Sequence, residues 1–292
     1  MDLTLYWFML PVAMCVATCA MLCGIGGAAL FTPIFILVFP LLGPEYVLDS
    51  TVAAIGTALL TETFGFSSGF VGYLRKGTID FVLARRFLWI AVPVGVVGAF
   101  SAHFFFEGWI IGGYAVLVLV LGIVLIFFHH QGIAAPQTIE ELEALGMQRV
   151  TDSEGRQYAY TRPAIGPVGR AATALGAFLT GVVSVGIGEV VVPTLTRNGV
   201  PVAIAAATSV AVVIVTAAAA SVTLIAQIIS AGGAVAWHLV VWTIPGVLVG
   251  GQIGPRLQGR IQQRTMERFV GFVFLGLAVA MLAVAVQKFR TA

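Results

Sequence analysis

Hydrophobic residues in this chain are gathered into long blocks separated by short polar joints. A helix needs roughly 20 mostly apolar residues to cross the hydrocarbon core of a bilayer. Uninterrupted stretches of that order run near 50–70, 87–106, 109–128, 200–229, 236–255 and 267–287, and each predicts a transmembrane helix. Two further apolar regions, 5–42 and 170–198, are broken by glycine: Cys23-Gly24-Ile25-Gly26-Gly27 in the first, Val185-Gly186-Ile187-Gly188 in the second. Each then reaches a proline, Pro33 or Pro193. Region 170–198 is too short for two full crossings, so a re-entrant or discontinuous helical hairpin is the economical expectation.

Between these blocks, about 129–166 is the one substantial polar segment. Thr138 followed by Glu141 forms a capping box for a short helix from Ile139 to Leu145. Arg149 to Tyr160, with Asp152-Ser153-Glu154-Gly155 at its centre, predicts a β-hairpin. The expected organisation is a first transmembrane repeat over 1–128, a cytoplasmic linker over 129–169 and a second transmembrane repeat over 170–292.

Composition sharpens this picture. Of 292 residues, 59% are hydrophobic and 10% charged, against about 25% charged in an ordinary soluble domain. Lipid must therefore be the solvent for much of the surface. The start, Met1-Asp2-Leu3, lacks the basic segment of a cleavable signal peptide, and the following apolar run is too long for one. Basic residues sort to one side, as cytoplasmic loops require. Arg75, Lys76, Arg85 and Arg86 place loop 71–86 inside. Counting passes from there also puts Arg149, Arg156, Arg162, Arg170, Arg197, Arg256, Arg260, Arg264 and Arg268 inside. Of the 15 basic residues, Lys288 and Arg290 are the exceptions. The expected location is the cell (inner) membrane, with several passes.

Landmarks recur in order along the two halves. Gly24-Ile25-Gly26 then Pro33 answers to Gly186-Ile187-Gly188 then Pro193; Gly56-Thr57-Ala58 to Ala207-Thr208-Ser209; and Trp89, Pro93 and Gly98 to Trp242, Pro245 and Gly250. The loop after the Trp/Pro helix falls outside in the first half and inside in the second. The fold class is thus an all-α polytopic membrane protein of two inverted-topology repeats. Each repeat is a broken or re-entrant helix followed by about three transmembrane helices. This is a design for alternating access about a site near the midplane.

The glycine-rich break followed by proline in each half, the Gly56-Thr57-Ala58-Leu59-Leu60 run and the polar central loop resemble the TauE/SafE sulfite-exporter family. The similarity covers nearly the whole chain. It implies a secondary transporter that exports sulfite or an organosulfonate. The second break departs from the family pattern, with Glu189 where a third small residue is usual, and its path to Pro193 is two residues shorter.

The chemistry of the breaks agrees with an anion. An interrupted helix leaves unpaired N–H groups at the start of its second part, with the positive end of the dipole beside them. Gly24, Gly26, Gly27 and Pro33, with Gly186, Gly188 and Pro193, are therefore candidate substrate-binding residues. Thr57, Thr208 and Ser209 are candidate hydrogen-bond donors. Glu62 and Glu189 lie at membrane depth, where a carboxylate costs at least about 2.5–3.5 kcal/mol to insert, and are candidates for proton coupling. Their structural alternatives are a hydrogen-bonded carboxyl for Glu62 and a helix cap for Glu189. An unpaired carboxylate at Glu189 would repel an anion, which keeps a proton-coupled importer of a small organic acid as a rival reading. A membrane-embedded enzyme or scaffold is a third, disfavoured because no nucleophile–base constellation appears.

Other features are set aside. Cys15, Cys19 and Cys23 recur on one helix face as small packing residues. His103, His238 and His129-His130 have no partners at metal-ligand spacing. Trp7, Trp89, Trp109 and Trp237 suit an interfacial belt. The breaks lack a P-loop ending, so no ATPase is implied; no cofactor, metal or nucleic acid is expected. Gly246, Gly250 and Gly254, at four-residue spacing, predict close helix packing, and the same face could seat a second copy in a homodimer.

Overall fold

The computed structural model describes residues 4–24, 26–127, 147–257 and 263–291. Ile25, the His129-His130 pair, the Thr138–Glu141 capping box with its helix, and Arg260 lie outside them, as does the side chain of Cys23.

The first broken region folds as α1 (Met9–Cys23) and α2 (Ala28–Leu42). Helix α2 widens into a π-helical stretch, Ile34–Val38, directly after Pro33, because a proline without an N–H disturbs the regular ladder. Then follow α3 (Thr51–Lys76), α4 (Phe81–Ser101) and α5 (Glu107–Phe127). The linker carries the expected hairpin, β1 (Gln148–Thr151) and β2 (Gln157–Tyr160), antiparallel with Gln148 opposite Tyr160. The second broken region gives α6 (Pro167–Val183) and α7 (Ile187–Arg197), and α8 (Val202–Ser230), α9 (Trp237–Leu257) and α10 (Gln263–Thr291) complete the bundle.

Helices stand over each of the six hydrophobic blocks, with two instructive differences. Phe81–Phe104, Glu107–Phe127, Val202–Ser230 and Arg268–Arg290 are long and apolar enough to span a membrane. Helices α3 and α9 have the length but not the apolarity, because they pack against each other inside the protein. There Thr61 and Thr243 share a hydrogen bond of 3.0 Å, and Gln252 Nε2 donates to Ser68 Oγ at 3.0 Å. The second difference is that α3 continues past residue 70 to Lys76, stopping only where Gly77 adopts a left-handed φ of 74°. The joint to α4 is thereby reduced to a few residues.

Packing interleaves the halves. Helix α1 lies along α9, and α6 along α4; α3 packs on α9, and α8 on α4; α3 faces α8, and α5 faces α10. Exchanging α1–α5 for α6–α10 reproduces the same set of pairs. Contacts fix the directions. Leu10 and Met14 meet Gly246 and Gly250, so α1 and α9 run parallel, whereas Gly108 meets Phe289 and Gly122 meets Gly271, so α5 and α10 run antiparallel. Gly56 meets Leu224 while Asp80, beyond the other end of α3, meets Thr208, which makes α3 and α8 antiparallel too.

The glycine face of α9 is consumed within the chain. A Cβ at Gly246 or Gly250 would collide with the Leu10 or Met14 carbonyl, and one at Gly254 with Met21. Close packing is therefore the role of these glycines. A homodimer through this face is excluded, because α1 already covers it. Gly98 sits against the Phe178 carbonyl in the corresponding α4–α6 contact. Cys15, expected to pack, is instead exposed, and Cys19 is partly so.

Candidate functional site

Both breaks open with the same backbone device. Helix α1 ends at Gly24, whose φ is 67° and whose N–H donates to Ala20 O at 2.9 Å. Helix α6 ends at Ser184, with φ 63° and its N–H on Thr180 O at 3.0 Å. Ser184 is the one described non-glycine residue with positive φ. It, rather than Gly186, is the geometric counterpart of Gly24. In this register Pro33 and Pro193 follow at the same distance along the chain, and Gly26 corresponds to Gly186. The two-residue shortening apparent in the glycine alignment disappears. A serine in the left-handed region costs energy that glycine avoids, which is why the position escapes a search for glycines.

The two breaks touch. A Cβ on Gly188 would lie 3.1 Å from Gly26 N and 3.4 Å from Gly24 O, so a side chain there would press the two breaks apart. Across this contact reaches Glu189. Its Oε1 accepts from Gly26 N at 3.1 Å, and its Oε2 accepts from Gly186 N at 3.0 Å. One carboxylate thus takes the corresponding N–H from each break. The bond to Gly186 is the helix cap anticipated for this residue; the bond to Gly26 joins it to the other half. Glu62 approaches from α3, with Oε1 accepting from Ala28 N at 3.2 Å in the first turn of α2. A Cβ on Gly26 would sit 3.0 Å from Glu62 Oε1 and 3.5 Å from Glu189 Oε1, so the two acids converge on one glycine. Both are buried, 2% and 7% exposed.

Other polar groups at the breaks are also engaged. Ile187 N donates to Thr180 Oγ1 at 2.9 Å, Ser209 Oγ to Gly24 O at 3.3 Å, and Tyr114 OH to Ala29 O. Thr32 and Ser184 share a hydroxyl–hydroxyl bond of 2.6 Å. Gly24, Gly26, Gly27, Gly186, Gly188, Ser209, Glu62 and Glu189 therefore stand together. Thr208, one residue from Ser209, instead accepts from Asp80 N at 3.0 Å. Thr57 is buried on α3, Pro33 within α2, and Pro193 within α7 downstream of the contact. Thr180, Ser184 and Tyr114 lie outside the residues that the sequence singles out; the likeness of the α6 end to the α1 end shows only in the backbone.

A cavity of about 680 Å³ opens at one end of the bundle, lined by residues including Asp49, His103, Glu107 and Gln227. Another of about 320 Å³, at the hairpin end, is lined by residues including Phe87, Pro163 and Arg197. Neither is lined by the break glycines or by the two acids.

Comparison with known proteins identifies the family. The family described as sulfite exporter TauE/SafE matches residues 9–281. The chain belongs to this family. Membership in the TauE/SafE family makes it a multi-pass membrane transport protein, in agreement with the resemblance of its residues. A relative in Bacillus subtilis (strain 168), the probable membrane transporter protein YunE, is 25% identical over 260 residues, covering 88% of this chain and 90% of the relative. No solved structure matches.

Proposed function

We propose that this TauE/SafE protein is a secondary transporter exporting a small sulfur-containing anion, sulfite or an organosulfonate, by alternating access of two inverted repeats. The observation that carries the reading is Glu189, whose single carboxylate ties together Gly26 of one break and Gly186 of the other. A carboxylate seated on two helix-break N–H groups occupies the place that suits an oxyanion. Protonation of Glu189, with Glu62 beside it, frees those donors for the transported anion. That resolves the conflict between a buried acid and an anionic substrate, and it couples the movement of protons to that of substrate. The substrate-binding set is Gly24, Gly26, Gly27, Gly186, Gly188 and Ser209, with Thr57, Thr208, Pro33 and Pro193 shaping the helices around it.

The repeats are 1–128 and 170–292. The parallel α1–α9 and α6–α4 pairs and the antiparallel α3–α8 and α5–α10 pairs support the inversion. The linker, 129–169, is cytoplasmic and the membrane is the inner cell membrane, as the distribution of Arg and Lys favours. Lys288, an exception to that distribution, pairs with Glu107 at 2.8 Å. A membrane negative inside by 100 mV favours outward movement of one negative charge by about 2.3 kcal/mol, so an anion that leaves without an accompanying proton runs outward by itself.

The test is uptake and counterflow in proteoliposomes with labelled sulfite, sulfoacetate, taurine and thiosulfate, with and without a pH gradient. Saturable counterflow of a sulfur oxyanion is expected. Proton-driven inward flux of a carboxylic acid, with no response to any of the four, would instead establish the importer reading that the buried acids also favour.

A further inference from the structure

The joint between α3 and α4 is held from two sides. On one side is the linker hairpin: Ser153 N donates to Lys76 O at 3.1 Å, and Asp80 Oδ2 accepts from Tyr160 OH and Arg162 Nε, each at 2.7 Å. On the other side are helices of the second half. Lys76 Nζ donates to Pro255 O of α9 at 3.1 Å, and Asp80 N donates to Thr208 Oγ1 of α8 at 3.0 Å. Lys76 Nζ also lies 3.8 Å from Glu154 Oε1 on the hairpin. Lys76 and Asp80, four residues apart, therefore each join the hairpin, the α3–α4 joint and the opposing half.

We propose that the linker hairpin is a latch that closes one mouth of the carrier, with Lys76 and Asp80 as its positioning residues. The inference rests on the alternating-access reading, and three features of the structure point to a reversible fastening rather than a passive cover. The bonds meet at the hairpin-side ends of α3, α4, α8 and α9, the helices that must part there before the breaks can be reached. Asp80 and Lys76 are buried while their hairpin partners Arg162 and Glu154 are partly exposed, so water is at hand to take over when the bonds open. Between the two anchors, Thr78 is 1% exposed and its hydroxyl has no hydrogen-bond partner among the described residues. A buried hydroxyl without a partner disfavours the closed arrangement, and movement of the joint relieves it. The far end of α3 has its own fastening: Glu107 Oε1 accepts from Thr51 N at 3.1 Å while Oε2 pairs with Lys288 at 2.8 Å. One end of the helix that carries Glu62 can open while the other stays shut.

The test reads access to the breaks from each side. In a background with Cys15, Cys19 and Cys23 replaced by alanine, Ser209→Cys reports reaction with a membrane-impermeant methanethiosulfonate added to the hairpin side or the opposite side of oriented vesicles. Asp80→Asn removes the charge pair yet still caps α4, since Asn and Asp cap comparably; Arg162→Ala removes it from the hairpin. Both should raise labelling from the hairpin side about ten-fold, the scale of a lost charge-assisted hydrogen bond, and lower it from the other side. Unchanged labelling in both variants, or faster labelling from both sides at once, overturns the latch. Sulfite counterflow by the parent protein is measured separately, so failure of the carrier reading shows there and not in the labelling.

Discussion

Glu189 shows how a single side chain can be affordable in a membrane interior. Inserting a carboxylate costs at least about 2.5–3.5 kcal/mol, but two backbone N–H groups that the breaks would otherwise leave unpaired both end on it. Glutamine has one acceptor oxygen where glutamate has two, so Glu189→Gln leaves Gly26 or Gly186 facing an amide N–H. That change is expected to cost about 1–3 kcal/mol, seen as a lower melting temperature in detergent, and to flatten the pH profile of transport. Glu62→Gln should flatten the same profile. Profiles unchanged from the parent in both variants would remove the two acids from the transport cycle. Gly188 gives an independent check. A methyl group there meets backbone atoms of the other break at 3.1–3.4 Å and Val213 Cγ2 at 3.2 Å. Overpacking of this kind costs about 1–3 kcal/mol, so Gly188→Ala should melt earlier and transport poorly. Gly113→Ala, with nothing within 4 Å of the added carbon, should match the parent.

Among elements, the linker hairpin is one whose docking is expected to respond to pH. Burial alone would raise the Asp80 carboxyl, but hydrogen bonds from Arg162, Tyr160 and Leu83, with the guanidinium charge, outweigh it and hold the group below its ordinary value. A carboxyl lowered in the docked form stabilises docking above its ordinary pKa, and that stabilisation is lost as pH falls through the lowered one. A fluorophore on Arg149→Cys should keep high anisotropy at neutral pH and lose it only below the usual carboxylate range. Arg162→Ala should move that loss to higher pH. Asp152, within the hairpin, is held down in the same way: burial raises it, and bonds from Arg156 and Glu154 more than reverse this. The difference made by Arg162→Ala is therefore the reading that isolates docking. Elements of this kind are legible in a sequence when their signals are local. The hydrophobic blocks, the two glycine breaks and the Arg149–Tyr160 hairpin all follow from neighbouring residues. Ser184 does not, because its left-handed backbone is set by the end of α6 and not by its side chain. Nor does the meeting of Gly26 with Glu189, since nothing local links residues so far apart in the chain. The reduced apolarity of α3 and α9 is a sign of protein neighbours in place of lipid, visible only once those neighbours are known.

At the scale of the whole molecule, each half is completed by the other. Helix α1 rests on α9, α6 on α4, and the first break receives its acid from the second half. Residues 1–128 and 129–292 expressed as separate chains should each be degraded or aggregate, and should co-purify as a folded complex when produced together. Either part yielding a stable monodisperse protein alone would contradict the interleaving. The shared carboxylate also has a consequence for biogenesis. While a ribosome has released only the first five helices, the amide of Gly26 has no Glu189 to meet and α1 has no α9 to lie on. The early chain must therefore be sheltered, by the insertion machinery or by wetter lipid near the headgroups, until the seventh helix brings Glu189 and the ninth brings the partner of α1.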